Sequence, residues 1–167
     1  FADTSALVKL FAEEPGSAEV SRAVKEAELV GTVSISRAEV IAAFAKAVRF
    51  GALSMDDAKS ARHRFRTEWQ HFLRLQVSDF LIDRAGDLAW AYGLRGYDAV
   101  QLAASEIWRE SLDSPVSLAT FDLKLWEAAG AVGLVPYPQD RRLPLRPDSA
   151  SRDEPRTCAG TPQQTMV

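Results

Sequence analysis

Short apolar runs alternate with helical patterns of apolar and polar residues along most of the chain. Runs rich in β-branched residues predict strands, whereas apolar residues three and four positions apart predict helices. Strands are predicted over residues 1–2, 29–35, 73–77, 116–121 and 134–137. Helices are predicted, with approximate ends, over residues 5–11, 17–28, 36–50, 54–72, 79–92, 97–110 and 123–129. This alternation predicts an α/β fold with a mostly parallel central sheet.

The pattern stops after Pro138. Residues 139–167 contain four prolines, many Ser, Thr and Arg residues, and almost no apolar periodicity. Such a segment cannot bury enough apolar surface to offset the entropy of its chain, so it is predicted to be a disordered tail. Residues 1–138 are predicted to form one domain. The strand-like run at the start is only Phe1-Ala2, so we expect the first strand to be truncated.

Composition and charge narrow the classes of function. The chain has 167 residues, a net charge of −3 and a single cysteine. A negative net charge argues against a surface that binds nucleic acid everywhere, so any such contact must come from a local basic patch or a bound metal ion. No apolar run reaches the length of a membrane span, and one cysteine allows no internal disulfide. We therefore expect a cytoplasmic protein that does not enter a membrane.

Four acidic residues stand where an α/β sheet places its chemistry. Asp3 and Asp122 directly follow predicted strands, and Glu39 and Asp98 lie in the first turns of helices. Because the carboxyl ends of parallel strands meet at one edge, we expect the four carboxylates to converge there. Carboxylates crowded together repel one another, and a hard divalent cation removes that repulsion. Oxygen-only ligands favour Mg²⁺ or Mn²⁺ over zinc.

A simpler interpretation exists for each acid taken alone. Aspartate is a favoured N-cap, and Ser36-Arg37-Ala38-Glu39 has the form of a capping box. Singly, each acid is therefore typical of a helix cap. The residues around the acids favour the site over this interpretation, because four motifs follow one another in order. They are Asp3-Thr4-Ser5-Ala6-Leu7-Val8-Lys9, Ser36-Arg37-Ala38-Glu39-Val40, Gly96-Tyr97-Asp98-Ala99-Val100-Gln101-Leu102-Ala103 and Ala119-Thr120-Phe121-Asp122.

Together these motifs resemble the PIN-domain family and, within it, the VapC toxins of bacterial toxin–antitoxin pairs. The resemblance extends from Phe1 to about Pro138. It implies a three-layer α/β/α sandwich and a Mg²⁺- or Mn²⁺-dependent endoribonuclease that hydrolyses RNA phosphodiester bonds. Carried onto this chain, Asp3, Glu39, Asp98 and Asp122 match the family's four catalytic, metal-binding acids. Thr4 or Ser5 and Thr120 match its hydroxyl positions near the metal ion.

The resemblance also implies an inhibitory VapB-like antitoxin. An antitoxin arginine could pair with Asp3 or Asp98, since guanidinium matches carboxylate geometry. An apolar groove would hold the rest of the antitoxin segment, with candidate walls on the first four helices. These candidates are Leu7, Phe11, Phe44, Val48 and Phe65. The same helices could support a homodimer. Lys9 and Arg95 flank acid motifs and are candidates for RNA contact near the cut site.

Other classes of function remain open at this stage. The nearest is a PIN-like module that binds RNA or protein without cutting. A phosphatase of the haloacid dehalogenase type would need D-x-D after the first strand, whereas Asp3 is followed by Thr4-Ser5. A phosphoacceptor receiver domain would need a lysine directly after a late strand, which we do not find. His63 and His71 are eight residues apart on one predicted helix, about 12 Å along its axis, too far to share a metal ion.

Overall fold

The computed structural model describes residues 1–139, so residues 140–167 of the predicted tail lie outside the described residues. Its α-helices are α1 (Thr4–Phe11), α2 (Ser17–Glu26), α3 (Ser36–Arg49), α4 (Met55–Glu68), α5 (Asp79–Tyr92), α6 (Gly96–Leu112) and α7 (Leu123–Ala131). A 3₁₀ turn, Trp69–His71, follows α4. The strands are β1 (Gly31–Val33), β2 (Leu73–Leu75), β3 (Ser117–Ala119) and β4 (Val135–Tyr137). The structure confirms the predicted alternation of elements, although every strand is shorter than the apolar run that predicted it.

The strands pair in two parallel ladders. β1 pairs with β2, with Gly31 opposite Leu73, and β3 pairs with β4, with Ser117 opposite Val135. Parallel pairing requires a crossover connection, and helices α3 and α4 or α7 provide it in each ladder. The predicted parallel pairing is confirmed for the strands of the described residues.

The first residues of the chain join the two ladders. Ala2 N donates to Gly31 O at 2.8 Å, and Ala119 N donates to Phe1 O at 2.8 Å. Ala2 also forms a parallel bridge with Ala119. This segment therefore lies between β1 and β3, as the predicted first strand requires. Asp3, the next residue, donates its N–H to Ala119 O at 3.0 Å at the carboxyl end of β3, and α1 begins directly after it.

Buried side chains form two apolar clusters that the sheet residues share. Phe1, Val33 and Leu118 belong to the cluster that contains side chains of α5, α6 and α7. Ala2 belongs to the cluster that contains side chains of α1, α2, α3 and α4. Successive residues of an extended segment point to opposite faces, which is why Phe1 and Ala2 divide between the clusters. The sheet is thus covered by apolar side chains from both groups of helices.

The second cluster corrects one expectation. Leu7, Phe44 and Phe65 were predicted to line an antitoxin groove, but they are between 0% and 3% exposed and belong to this core. Phe11, 5% exposed, also belongs to the core but does line a surface cavity. Their helices pack inward because the apolar stripe of each amphipathic helix must find an apolar partner. Of the five predicted walls, only Val48 is partly exposed.

Gly31 shows how closely β1 approaches helix α6. A Cβ atom at this position would lie 2.4 Å from the ring of Trp108. The missing side chain lets the strand and the helix pack against each other, which brings the first turn of α6 toward the carboxyl ends of the strands. Among the described residues, no helix has the length and apolar composition that crossing a bilayer requires.

Candidate active site

Asp3 is the most firmly held of the four predicted acids. It is 4% exposed and is the N-cap of α1, where its Oδ1 accepts from Ala6 N at 2.8 Å and from Ser5 Oγ at 2.8 Å. Its Oδ2 accepts from Thr120 Oγ1 at 2.8 Å. A carboxylate has about four acceptor positions, so these bonds hold both oxygens in one orientation.

The hydroxyls that hold Asp3 also hold the loop after β3. Thr120 Oγ1 accepts from Asp122 N at 3.1 Å, and Ser5 Oγ accepts from Phe121 N at 2.7 Å. Each hydroxyl thus receives a backbone N–H from the loop and donates its own proton to Asp3. Ser5 and Thr120 therefore fix the end of β3 relative to Asp3, a direct contact between residues 116 or more positions apart.

Asp122 begins α7 as its N-cap, and its Oδ1 accepts from Leu125 N at 3.0 Å. The cap interpretation is therefore correct for the side chains of Asp3 and Asp122. It does not exclude a second role, because a capped carboxylate keeps oxygen lone pairs that can face a cation.

Glu39 is held from outside its own helix. Its Oε2 accepts from Thr4 Oγ1 at 2.6 Å and from Gln101 Nε2 at 3.3 Å. The predicted capping box of Ser36 and Glu39 is wrong. The N-cap of α3 is Ile35, which makes no side-chain cap bond, and Ser36 Oγ bonds instead with Thr32 and Gln101. The side chains of Ser36 and Glu39, which the local pattern assigned to the cap, instead form hydrogen bonds with residues outside α3.

Asp98 lies in the first turn of α6 and is half-buried. Its pKa is raised from 3.8 to about 6, mainly by burial and then by the negative charges of Asp122 and Glu39, while Arg95 lowers it. No hydrogen bond is among the causes that shift the Asp98 pKa, in contrast to Asp3.

The pKa of Asp3 is also affected by a neighbouring acid, Asp98. This pKa is raised from 3.8 to about 7: burial is the largest cause, the bonds from Ala6, Ser5 and Thr120 lower the pKa, and the charge of Asp98 raises it. Asp98 therefore interacts electrostatically with each of the other three predicted acids. The structure brings Asp3, Glu39, Asp98 and Asp122 together as one cluster of interacting carboxyl groups.

The cluster has the chemistry of a hard-cation site without a finished coordination geometry. Among residues 1–139, no three or more His, Cys, Asp or Glu side chains are arranged at once to hold a metal ion. The donors nevertheless fit Mg²⁺ or Mn²⁺, since all are carboxylate or hydroxyl oxygens. Two of the carboxyl groups have pKa values raised by burial and by negative neighbours, which is the imbalance that a cation would correct.

The two predicted RNA contacts differ. Lys9 is 5% exposed, and its Nζ donates to Glu14 Oε2 at 3.1 Å and to Pro15 O at 2.8 Å. Its ammonium also lies 4.6 Å from the centre of the Phe121 ring. This placement corrects the RNA contact predicted for Lys9, because the cation is already used inside the fold. Arg95 is exposed and is close enough to Asp98 to lower its pKa.

Three buried polar residues beside the acids were missed as members of the site. Gln101 is 2% exposed, and Thr32 and Ser36 are fully buried. Gln101 could have been noticed, since it is the one strongly polar residue in the run Ala99-Val100-Gln101-Leu102-Ala103-Ala104, one helical turn after Asp98. Thr32 and Ser36 carried no comparable signal, because both residue types are common at strand and helix ends.

Comparisons with known proteins agree with this geometry. A sequence-family model described as PIN domain matches residues 1–130. Ribonuclease VapC46 of Mycobacterium tuberculosis is 30% identical over 134 residues, which cover 80% of this chain and 92% of that relative. Ribonuclease VapC45 of the same species is 30% identical over 131 residues, covering 78% of this chain and 89% of the relative. Ribonuclease VapC3 of Pyrobaculum aerophilum is 30% identical over 106 residues, covering 62% and 79%.

A solved structure gives the same result for the fold. A chain of a toxin-antitoxin complex from Klebsiella pneumoniae matches with a TM-score of 0.57 and 23% sequence identity. The match covers 80% of this chain and 93% of that chain. At this identity the likeness concerns the fold alone.

Proposed function

The chain belongs to the PIN-domain family, with VapC ribonucleases as its relatives, and from this premise we propose that it is a toxin endoribonuclease. In this proposal it hydrolyses RNA phosphodiester bonds, depends on Mg²⁺ or Mn²⁺, and acts in the cytoplasm as one half of a toxin–antitoxin pair. Its catalytic domain spans residues 1–138 as a three-layer α/β/α sandwich. The two apolar clusters, one with α1 to α4 and one with α5 to α7, support the three layers.

The observation that carries the proposal is the electrostatic coupling of the four acids. Asp98 interacts with Asp3, Glu39 and Asp122 although these residues come from four separate parts of the chain. Folding thereby concentrates negative charge instead of dispersing it, at a cost in stability. Such unfavourable clusters are typical of functional sites.

In this proposal Asp3, Glu39, Asp98 and Asp122 hold the cation. When bound, Mg²⁺ or Mn²⁺ supplies a water of lowered pKa and stabilises negative charge on the phosphoryl oxygens. The protein contributes orientation. Thr120 and Ser5 keep both oxygens of Asp3 in place, and Thr4 keeps Glu39 in place.

RNA would approach from the exposed side of α6. Arg95, at the N-cap position of this helix, is the residue we propose for phosphate contact. A guanidinium beside the acids would offset the repulsion between the carboxylates and the phosphate backbone. We do not carry the same role over to Lys9, because its ammonium is bound to Glu14 and Pro15.

The partners in this proposal are the RNA substrate, a VapB-like antitoxin and a second copy of the chain. The solved structure that resembles this fold is a toxin-antitoxin complex, which supports an antitoxin. An antitoxin arginine that pairs with Asp98 would compete with the cation for the same negative charge. We propose that helices α1 to α4 support the homodimer.

A cleavage assay with a matched control tests the proposal. Asp98→Asn should reduce the RNA cleavage rate by at least a hundredfold in Mg²⁺ or Mn²⁺, because it removes a ligand charge. The control is Asp83→Asn, an exposed acid on α5, which should cleave like the parent. Adding a chelator should stop the parent enzyme.

Each result separates the two classes of function. Full cleavage by a folded Asp98→Asn variant would remove the four-acid assignment. A folded parent that binds RNA or an antitoxin but does not cleave in either metal ion would instead be a non-catalytic PIN-like binding module.

A further inference from the structure

Gln101 is a buried amide inside an otherwise apolar part of α6. Its Nε2 donates to Ser36 Oγ at 2.8 Å, the shortest of three contacts. The other two run to Thr4 Oγ1 at 3.2 Å and to Glu39 Oε2 at 3.3 Å. An amide nitrogen has two hydrogens, so one serves Ser36 and the other is shared by Thr4 and Glu39.

The acceptors around Gln101 determine which end of the amide faces them. An ionised Glu39 carboxyl only accepts, so it requires the NH₂ end. Thr4 uses its own proton on Glu39 Oε2 at 2.6 Å, so its oxygen faces Gln101 with a lone pair. Turning the amide over would place its carbonyl oxygen against the Glu39 carboxylate, which is repulsive. The network is therefore consistent in one orientation.

The carbonyl oxygen of the amide, Gln101 Oε1, bears on whether this glutamine serves the stability of the fold. Among the described residues, Gln101 Oε1 is the buried side-chain atom that has no hydrogen-bond partner. A buried oxygen without a donor lowers the stability of the fold. Methionine has nearly the same length and would fill the position without that loss. Stability alone therefore does not account for an amide here, whereas its hydrogen bond to the acid cluster does.

We propose that Gln101 is a positioning residue that, together with Thr4, holds the Glu39 carboxyl at the acid cluster. This inference rests on the proposed function, in which Glu39 is a ligand of the divalent cation. A free glutamate side chain has three rotatable bonds and loses that freedom when it binds a metal ion. Holding Glu39 beforehand removes part of this loss. Ser36, which also accepts from Thr32 Oγ1 at 3.1 Å, anchors the amide from the side of β1.

Binding of Mn²⁺ to the full chain tests the inference without relying on cleavage. Isothermal titration should compare the parent, Gln101→Met, Glu39→Gln and the double variant. In the parent background, Gln101→Met should weaken Mn²⁺ binding about tenfold, as is usual when a partner of a metal ligand is lost. In the Glu39→Gln background the same change should alter the dissociation constant less than about twofold, because the group that Gln101 positions is no longer a charged ligand.

Ser105→Ala provides a matched control on the same helix. Ser105 is fully buried, and its Oγ donates to Leu102 O at 2.8 Å, away from the acids. This variant should bind Mn²⁺ like the parent even if it melts earlier. Melting curves of every variant establish that it is folded. If Gln101→Met does not fold, Gln101→Asn replaces it, because asparagine keeps an amide but is one methylene too short to reach Glu39.

The outcomes separate this inference from the proposed function. If Gln101→Met binds Mn²⁺ as tightly as the parent, the inference is wrong and the proposed function stands. An equal loss in both backgrounds would also overturn it, since the glutamine would then act through general packing. If the parent itself binds no Mn²⁺ and cleaves no RNA, the proposed function fails and the inference fails with it.

Discussion

Asp3 and Asp98 belong to the same carboxylate cluster but are held in opposite ways. Asp3 is 4% exposed and accepts hydrogen bonds from Ala6, Ser5 and Thr120. Asp98 is half-buried, and the charges that act on it are the negative Asp122 and Glu39 and the positive Arg95. The pKa values of both acids are raised, to about 7 and about 6, so ionisation of either one costs stability. Asp3 differs in that its hydrogen bonds cap α1 and hold the loop after β3, which makes it part of the folded framework as well as of the site. Variants at the two positions should change stability in opposite directions.

The largest expected effect is the loss of stability in Asp3→Ala. This change removes the N-cap of α1 and leaves the hydroxyls of Ser5 and Thr120 without their acceptor. A lost cap costs about 1 kcal/mol, and the two hydroxyls left without an acceptor cost about 1–3 kcal/mol each. Removing a buried carboxyl whose pKa is raised to about 7 offsets part of this cost, so we expect a net loss of about 2–4 kcal/mol. The free energy of unfolding in urea measures it.

The same change at Asp98 completes the comparison with Asp3→Ala. Asp98→Ala should leave the free energy of unfolding unchanged or raise it when no divalent cation is present. A loss at Asp98 as large as that at Asp3 would show that the two acids are held alike, contrary to the comparison.

A smaller effect is expected at the hydroxyl that connects Asp3 to the loop after β3. Thr120→Val keeps the shape of the side chain but removes the donor to Asp3 Oδ2 and the acceptor for Asp122 N. We expect a loss of about 1–2 kcal/mol, because one buried carboxyl oxygen loses its partner. Ser111→Ala, an exposed serine near the end of α6, is the control and should lie within about 0.5 kcal/mol of the parent.

The smallest effect is a pH-dependent gain in Asp98→Asn. The pKa of Asp98 is raised from 3.8 to about 6 in the folded protein, so the unfolded chain ionises first as pH rises. Stability is therefore lost between about pH 4 and pH 6 and stays low above that range. In chelator, Asp98→Asn should melt at the same temperature as the parent near pH 4 and a few degrees higher at pH 7.5.

Melting temperatures measured with a divalent cation test the role of Asp98 further. Mn²⁺ should raise the melting temperature of the parent at pH 7.5, because it binds the folded acid cluster. The rise should be smaller in Asp98→Asn, which lacks one ligand charge. A melting temperature that does not respond to millimolar Mn²⁺ would argue that the acids serve only the fold.

Sequence patterns predicted the helices well because the interactions that begin and end a helix involve residues next to it in the chain. The helix predicted over residues 79–92 is observed as Asp79–Tyr92, between the capping hydroxyl of Ser78 and the left-handed Gly93. The apolar runs predicted every strand, but their length overestimated the strands. A buried run extends as far as its side chains are covered, whereas a strand extends only as far as its backbone finds a partner.

The sequence predicted the acids of the candidate site and the supporting hydroxyls of Thr4, Ser5 and Thr120, which donate to Glu39 or Asp3. It did not predict the part of Gln101 and Ser36. The four acids were recognisable because each begins or nearly begins a helix within a motif of fitting order. Gln101 lies in the motif around Asp98, but the sequence predicted no role for it. Ser36 was predicted to form a capping box, which does not form. Gln101 and Ser36 bond to each other across 65 positions of the chain, so no local pattern could pair these two residues.

The sequence by itself determined the order of helices and strands and which residues are apolar enough to be buried, and it singled out the four acids that we expect to share a cation. Only the tertiary structure decided how the polar groups are used. It buried Lys9 against Glu14 and Phe121, and it directed Gln101 to Glu39. The physical reason is the separation along the chain over which each kind of interaction acts. Helix and strand propensities arise between residues a few positions apart, whereas a buried polar group takes whichever partner the packed chain brings within about 3 Å.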